Sequence, residues 1–165
     1  MAMHYARRLA YAAGIQDLMA EYAHVLDSGR FEAWPDFFTP DCRYRVTTAE
    51  NHRAGLPIGL IDCDSRGMLI DRVQSLRQAN IYEAHSYRHV LAPPRVTAEH
   101  LGEVVDAHTG FIVTRTMRDG STSLFVTGEY IDRFKFVNDT SPPLIQSRIV
   151  VCDSSHIDTL LVLPL

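Results

Sequence analysis

Between Tyr22 and Val46 a helix, a stop, an aromatic cluster and a strand follow one another with no linker between them, and this order constrains the fold more than any other stretch. Apolar residues at Ile15, Leu18, Met19, Tyr22 and Leu26 recur at helical spacing and predict a helix with one buried face. Asp27-Ser28-Gly29 ends it, because glycine closes a helix in the left-handed conformation without a Cβ clash. Trp34, Phe37 and Phe38 then form a dense aromatic cluster, and Thr39-Pro40-Asp41 reads as a turn. Arg43, Tyr44, Arg45 and Val46 alternate polar and apolar, the period of a strand with one covered face. A chain that starts this way lays a helix against a sheet and opens a cone.

Downstream, residues 49 to 58 read as a polar loop containing Asn51, Gly55 and Pro57, and Gly59-Leu60-Ile61-Asp62-Cys63 as a short strand. Asp64 or Ser65 can accept a hydrogen bond from a free first-turn amide and so start a second helix. That helix is expected to run to about Ile81, with Leu69, Val73 and Leu76 inward, Met68 beside them, and Asp71, Arg72, Ser75 and Gln78 toward solvent. Four strand-like segments follow, over Arg88 to Val96, Val104 to Met117, Leu124 to Val137 and Ile145 to Cys152. Pro93-Pro94 breaks the first, since neither nitrogen can donate to a ladder. Arg118-Asp119-Gly120 joins the middle two through an Asp-Gly pair suited to a tight hairpin. Helices first and strands after predict an α+β fold, a half-open barrel of long antiparallel strands with a cavity at its mouth. With no repeat, low-complexity tract or dividing linker, residues 1–165 read as a single domain.

A chain of 165 residues with 46% hydrophobic content buries about 70% of its unfolded surface and needs no disulfide or metal to hold it. No apolar run approaches the roughly 18 residues of a membrane span, and the start, Met-Ala-Met-His-Tyr-Ala-Arg-Arg, lacks the apolar core of a signal peptide. A cytoplasmic protein with no membrane partner is expected. Cys42, Cys63 and Cys152 are odd in number and form no Cys-x-x-Cys, so they read as buried thiols of a reducing compartment. A net charge of −4 with no basic stripe argues against a nucleic-acid partner. Fifteen arginines stand against one lysine, Lys135, which reflects either bidentate pairing with carboxylates at subunit contacts or codon bias.

Candidate chemistry is sparse. His85 and His89 are four apart, which on a helix would set two imidazoles side by side for a metal, but Tyr87, His89 and Leu91 alternate as a strand and no Glu follows His85. They read as structural histidines, and His108 and His156 as surface or edge residues next to polar strand ends. No Ser or Cys stands in a nucleophile elbow, and Gly55 to Gly59 is not a phosphate-cradling loop. The opening run resembles that of cone-fold enzymes related to ketosteroid isomerase and scytalone dehydratase. Counted from the shared Phe-x-x-Asp at Phe38 to Asp41, the position of the isomerases' catalytic Asp holds Val46. Tyr22 falls where those enzymes place an oxyanion-stabilising tyrosine, yet on the inner face of a first helix it reads as a core aromatic whose hydroxyl finds a carbonyl.

Three segments together resemble the small (beta) subunit of Rieske-type aromatic ring-hydroxylating dioxygenases. They are the opening run, the passage from Asp71-Arg72 through Ile81-Tyr82-Glu83 to Tyr87-Arg88-His89-Val90-Leu91, and Thr127-Gly128-Glu129-Tyr130-Ile131-Asp132 with the ending Val151-Cys152-Asp153-Ser154 to Leu163-Pro164-Leu165. Within that family Trp34-Pro35-x-Phe-Phe38-Thr-x-Asp-Cys42-x-Tyr44-Arg-Val46-Thr, Asn51-His52 and Ala79-Asn80-Ile81-Tyr82-Glu83 are most similar to small subunits of terephthalate-oxidising enzymes. The resemblance implies a cystatin-like, nuclear-transport-factor-like cone that self-associates as a trimer in an assembly of three large (alpha) and three small subunits. It implies a Rieske [2Fe-2S] cluster and a mononuclear iron in the large subunit, NAD(P)H electrons delivered through a reductase, and cis-dihydroxylation of an aromatic carboxylate such as terephthalate. No catalytic, cofactor-binding or metal residue is expected in this chain. Cys42-Arg-Tyr, Cys63-Asp-Ser and Cys152-Asp-Ser contain no Cys-x-His pair of the kind a Rieske cluster needs. The alternatives are a salicylate- or anthranilate-type small subunit, or a stand-alone cone-fold isomerase or dehydratase acting through Tyr22 or His89.

Overall fold

The computed structural model describes residues 5–78, 84–101, 103–138, 141–155 and 163–165. Helix α1 (Tyr5–Asp27) buries Ile15, Leu18, Met19, Tyr22 and Leu26 as the spacing predicts, with Ala23 and Val25 added. It ends in a Schellman motif, in which the Arg30 N–H reaches the Val25 carbonyl and the Gly29 N–H the Leu26 carbonyl, each at 3.0 Å, with Gly29 at φ 69°. A 3-10 helix (Phe31–Phe37) carries Trp34 inward and leads straight into β1 (Phe38–Thr48).

Here the expected turn at Thr39-Pro40-Asp41 is corrected, because these residues lie inside β1 as an irregularity. The strand advances from Phe38 to Arg43 while its neighbour advances only from Ile145 to Ser147. A bulge leaves the proline nitrogen with no ladder bond to make, so Pro40 is tolerated within a strand. The polar loop after β1 is likewise partly helical. Thr48 Oγ1 accepts from the Asn51 N–H at 3.2 Å and caps α2 (Ala49–Arg53).

Of the expected strand from Gly59, only β2 (Ile61–Cys63) pairs. Ser65 Oγ then accepts from the Met68 N–H at 3.4 Å at the start of α3 (Arg66–Gln78), which buries Leu69, Val73 and Leu76 and leaves Met68 exposed. The predicted continuation of this helix to Ile81 lies outside the described residues. The remaining strands are β3 (His85–Leu91), β4 (Arg95–His100), β5 (Val104–Met117), β6 (Thr122–Lys135) and β7 (Leu144–Cys152). Pro93-Pro94 separates β3 from β4, and both pair with the long β5. At the β5–β6 turn Gly120 takes φ 86° and Asp119 Oδ1 accepts from the Ser121 N–H.

The seven strands form one open sheet in the order β2-β1-β7-β6-β5-β3, with β4 beside β5. The β1–β7 pair is parallel and the others are antiparallel. The helices cover one face, so each strand sends alternate residues into a common core that includes Tyr44 and Val46 from β1, Phe111 and Val113 from β5, Tyr130 and Phe134 from β6, and Val150 from β7. Gly128 is required where Phe111 crosses β6, since a Cβ there would run into the Val151 carbonyl and the Phe111 ring. This is a cone of mixed sheet with helices laid in its mouth.

Candidate functional site

In folds of this shape the interior is the natural place for a ligand. Among the described residues, the part of the interior around Tyr22, Tyr44 and Tyr130 is occupied by the chain itself. Arg148 and Asp132 face one another across β7 and β6, both side chains fully buried, with bonds of 2.9 Å from Nε to Oδ1 and 2.7 Å from Nη2 to Oδ2. The guanidinium lies between the rings of Tyr22 and Tyr130, 4.3 and 4.2 Å from their centroids, and Nη2 also approaches Met19 Sδ at 2.7 Å. Burial pushes the Asp132 carboxyl upward in pKa and the Arg148 charge opposes that push. Burial also works against the Arg148 charge, but Asp132 outweighs it and the guanidinium stays protonated.

The second half of the filling is Leu163-Pro164-Leu165. Leu165 is fully enclosed, its carbonyl accepting from the Tyr22 hydroxyl at 2.7 Å and the Tyr44 hydroxyl at 3.3 Å. Trp34 Nε1 donates to the Tyr22 hydroxyl at 2.9 Å, and Trp34, Phe38 and Tyr44 meet edge to face with centroids 5.1 to 6.0 Å apart. Burial raises the pKa of Tyr22, Tyr44 and Tyr130 alike, so all three remain neutral phenols. The Tyr22 hydroxyl therefore does find a carbonyl, and the expected cavity at the mouth is replaced in this region by packed aromatics and the Leu163–Leu165 segment.

Val46 is fully buried and brings no polar atom to the interior. His85 and His89 lie two pleats apart on one face of β3, in strand rather than helix. His89 is fixed by Asp27 at the end of α1, whose Oδ1 is 2.6 Å from Nδ1 and whose two oxygens also accept the His89 backbone N–H at 3.2 and 3.1 Å. Its ring is completely enclosed, so Nε2 has no access to a substrate. His108 lies within β5 rather than at a strand end and faces outward, with Nδ1 3.2 Å from Glu129 Oε1. His156 lies outside the described residues.

Cys42, Cys63 and Cys152 are free and buried, and burial pushes Cys42 and Cys152 up to about 11 and raises Cys63, so all three stay protonated thiols at neutral pH. Among the described residues no three His, Cys, Asp or Glu side chains gather as a metal-binding set, and no helix is long and apolar enough to cross a membrane.

Sequence reasoning missed the Arg148–Asp132 pair, although a signal was present. Arg148 shares strand parity with the apolar Val150 and Cys152, and Asp132 shares it with Tyr130 and Phe134. Two opposite charges at inward positions of predicted strands point to a buried pair once the strands are known to be neighbours. Also missed was a groove of about 830 Å³ outside the cone, between α1, the 3-10 helix and the connection from β6 to β7. The arginines, for their part, are largely engaged within the chain, Arg43 and Arg45 with Asp62, Arg77 with Glu32 and Arg133 with Asp106.

Comparison with known proteins identifies the family to which this cone belongs. Residues 7–140 match the SnoaL-like domain family. The chain is 47% identical over 146 residues to the terephthalate 1,2-dioxygenase terminal oxygenase subunit beta 1 of Comamonas sp, covering 88% of this chain and 93% of that one. It is 37% identical to the anthranilate 1,2-dioxygenase small subunit of Burkholderia cepacia, covering 90% of each. A solved structure from Novosphingobium aromaticivorans, assigned as the beta subunit of an aromatic-ring-hydroxylating dioxygenase, superposes with a TM-score of 0.82 at 36% identity over 92% of this chain and 94% of that one. By fold and sequence, this chain belongs to the beta subunits of aromatic ring-hydroxylating dioxygenases, built on a SnoaL-like domain, and is a component of an oxidoreductase complex.

Proposed function

We propose that this chain, acting as one unit over residues 1–165, is the non-catalytic beta subunit of a terephthalate-type Rieske dioxygenase in the cytoplasm. It holds large subunits in an assembly of three alpha and three beta, and itself supplies no catalytic, cofactor-binding or metal residue. The alpha subunit carries the [2Fe-2S] cluster and the mononuclear iron, receives electrons from NAD(P)H through a reductase, and cis-dihydroxylates the aromatic carboxylate. The observation that carries this reading is the occupied interior, where Arg148 pairs with Asp132 and the Tyr22 and Tyr44 hydroxyls donate to Leu165. Val46 adds no acid where cone-fold isomerases need one.

The terephthalate assignment rests on the 47% identity to the Comamonas subunit, and anthranilate is the second substrate to try because of the 37% identity to the Burkholderia small subunit. Co-expression with a terephthalate-type Rieske alpha subunit, followed by mass determination and substrate-dependent NAD(P)H oxidation, tests it. A stable complex of three and three that oxidises terephthalate is expected. Absence of any co-purifying alpha subunit, or turnover of a substrate by this chain alone, would overturn it.

A further inference from the structure

Resting on the reading of this chain as a partner-binding subunit, we propose that the groove between α1, the 3-10 helix and the β6–β7 connection docks an apolar segment of the large oxygenase subunit that carries a basic side chain at its edge. The groove measures about 830 Å³, and Leu18, Val25, Phe37, Pro143 and Leu144 contribute only apolar side chains to it. Among the described residues its charged groups are Asp17, Glu21, Asp36 and Arg30, all exposed. Three carboxylates thus stand against one guanidinium, and that guanidinium is already held by Glu21 at 3.4 Å.

This distribution selects the occupant. A site for a small molecule sets a few polar groups among its apolar walls to orient the ligand. An apolar centre with a charged rim is instead the anatomy of a protein interface, where arginine is enriched. The acidic excess favours a cationic segment. It disfavours a second copy of this chain docked groove to groove, because that would set carboxylates against carboxylates. Pro142 and Pro143 have no N–H to offer, so the partner is gripped by side chains and not by strand addition. The Phe37 ring packs edge-on against Tyr22, with centroids 5.4 Å apart, so the groove is braced by the closed interior.

The test uses the full chain with a terephthalate-type Rieske alpha subunit, measuring affinity at low and high salt and self-association of the isolated chain by sedimentation. Asp17→Lys with Asp36→Lys is expected to weaken alpha binding by about tenfold or more and to flatten its salt dependence. Ala33→Trp, which fills the groove without changing charge, is expected to weaken it comparably. Asp119→Lys on the β5–β6 turn is expected to have no effect. Circular dichroism and thermal midpoints confirm that each variant is folded. If the wild-type chain binds alpha and the groove variants bind it equally well, the groove proposal is overturned while the proposed function stands. If the variants alter only self-association, a second copy is the occupant and the proposal is again overturned. If the wild-type chain binds no alpha subunit, the functional reading falls and takes this one with it.

Discussion

The interior of the cone and the groove on its outer side use the same kinds of residue in opposite ways. Inside, a guanidinium, a carboxylate and two tyrosine hydroxyls find partners within the chain, and Leu165 closes the remaining space. Outside, Asp17, Glu21 and Asp36 stand around an apolar floor with one guanidinium, Arg30, which pairs with Glu21. A buried pair that loses one member strands a charge in low dielectric, whereas a rim charge is solvated whether or not it is matched. The interior therefore governs whether the chain folds, and the charged rim of the groove can change with little effect on folding.

The sharpest way to break this contrast is Arg148→Met. It leaves Asp132 buried without its counter-charge and should cost about 3–5 kcal/mol in urea unfolding. Arg148→Met combined with Asp132→Leu should regain most of that loss. A single variant as stable as wild type would show that the interior is not under this constraint. Leu165→Ala comes next, at about 2–5 kcal/mol, because it opens a void beneath Tyr22 and Tyr44. Asp27→Asn should cost about 1.5–3 kcal/mol by weakening the charge-assisted clasp on His89 Nδ1, read as a lower urea midpoint with an unchanged slope.

Acid should separate the interior from the outer sheet face by sign. The Arg133 guanidinium, with His100, holds the Asp106 carboxyl on the outer sheet face below the usual carboxylate range. That group's stabilisation is fully present above its unfolded pKa, about 3.9, and is lost as pH falls through the lower folded value. Asp132, pushed up by burial, acts in the opposite sense and gains relative stability as pH falls through its raised pKa. Asp106→Asn should accordingly flatten the fall of the thermal midpoint below about pH 4, and an unchanged slope would remove Asp106 from the account. The smallest effect on folding belongs to the groove, where Asp36→Lys should shift stability by no more than about 0.5 kcal/mol.

Much of this architecture was legible from local pattern. The buried face of α1, the stop at Gly29, the break at Pro93-Pro94 and the span of β5 each follow from spacing or backbone freedom within a few residues. Reasoning went astray at Pro40, where the turn rule gave way to a bulge created by the register of β1 on β7. It went astray again at residues 49–53, where a single Thr48 cap turns a polar segment into a helical turn. The Arg148–Asp132 pair was hidden for another reason. Parity places each charge inward, but only the pairing of β6 with β7 brings them together. The groove was not legible because its walls come from α1, the 3-10 helix and the β6–β7 connection, which no sequence window joins.

The bond from the Tyr22 hydroxyl to the Leu165 carbonyl links residues 143 apart, and β1 lies parallel to β7 across a comparable span of chain. Closure on that scale is slow, since loop entropy is lost before the contacts that reward it form. During synthesis α1 and β1 leave the ribosome long before the segments that complete them. The cone is thus assembled last, and until residues 163–165 arrive the aromatic cluster around Trp34 stays open to water.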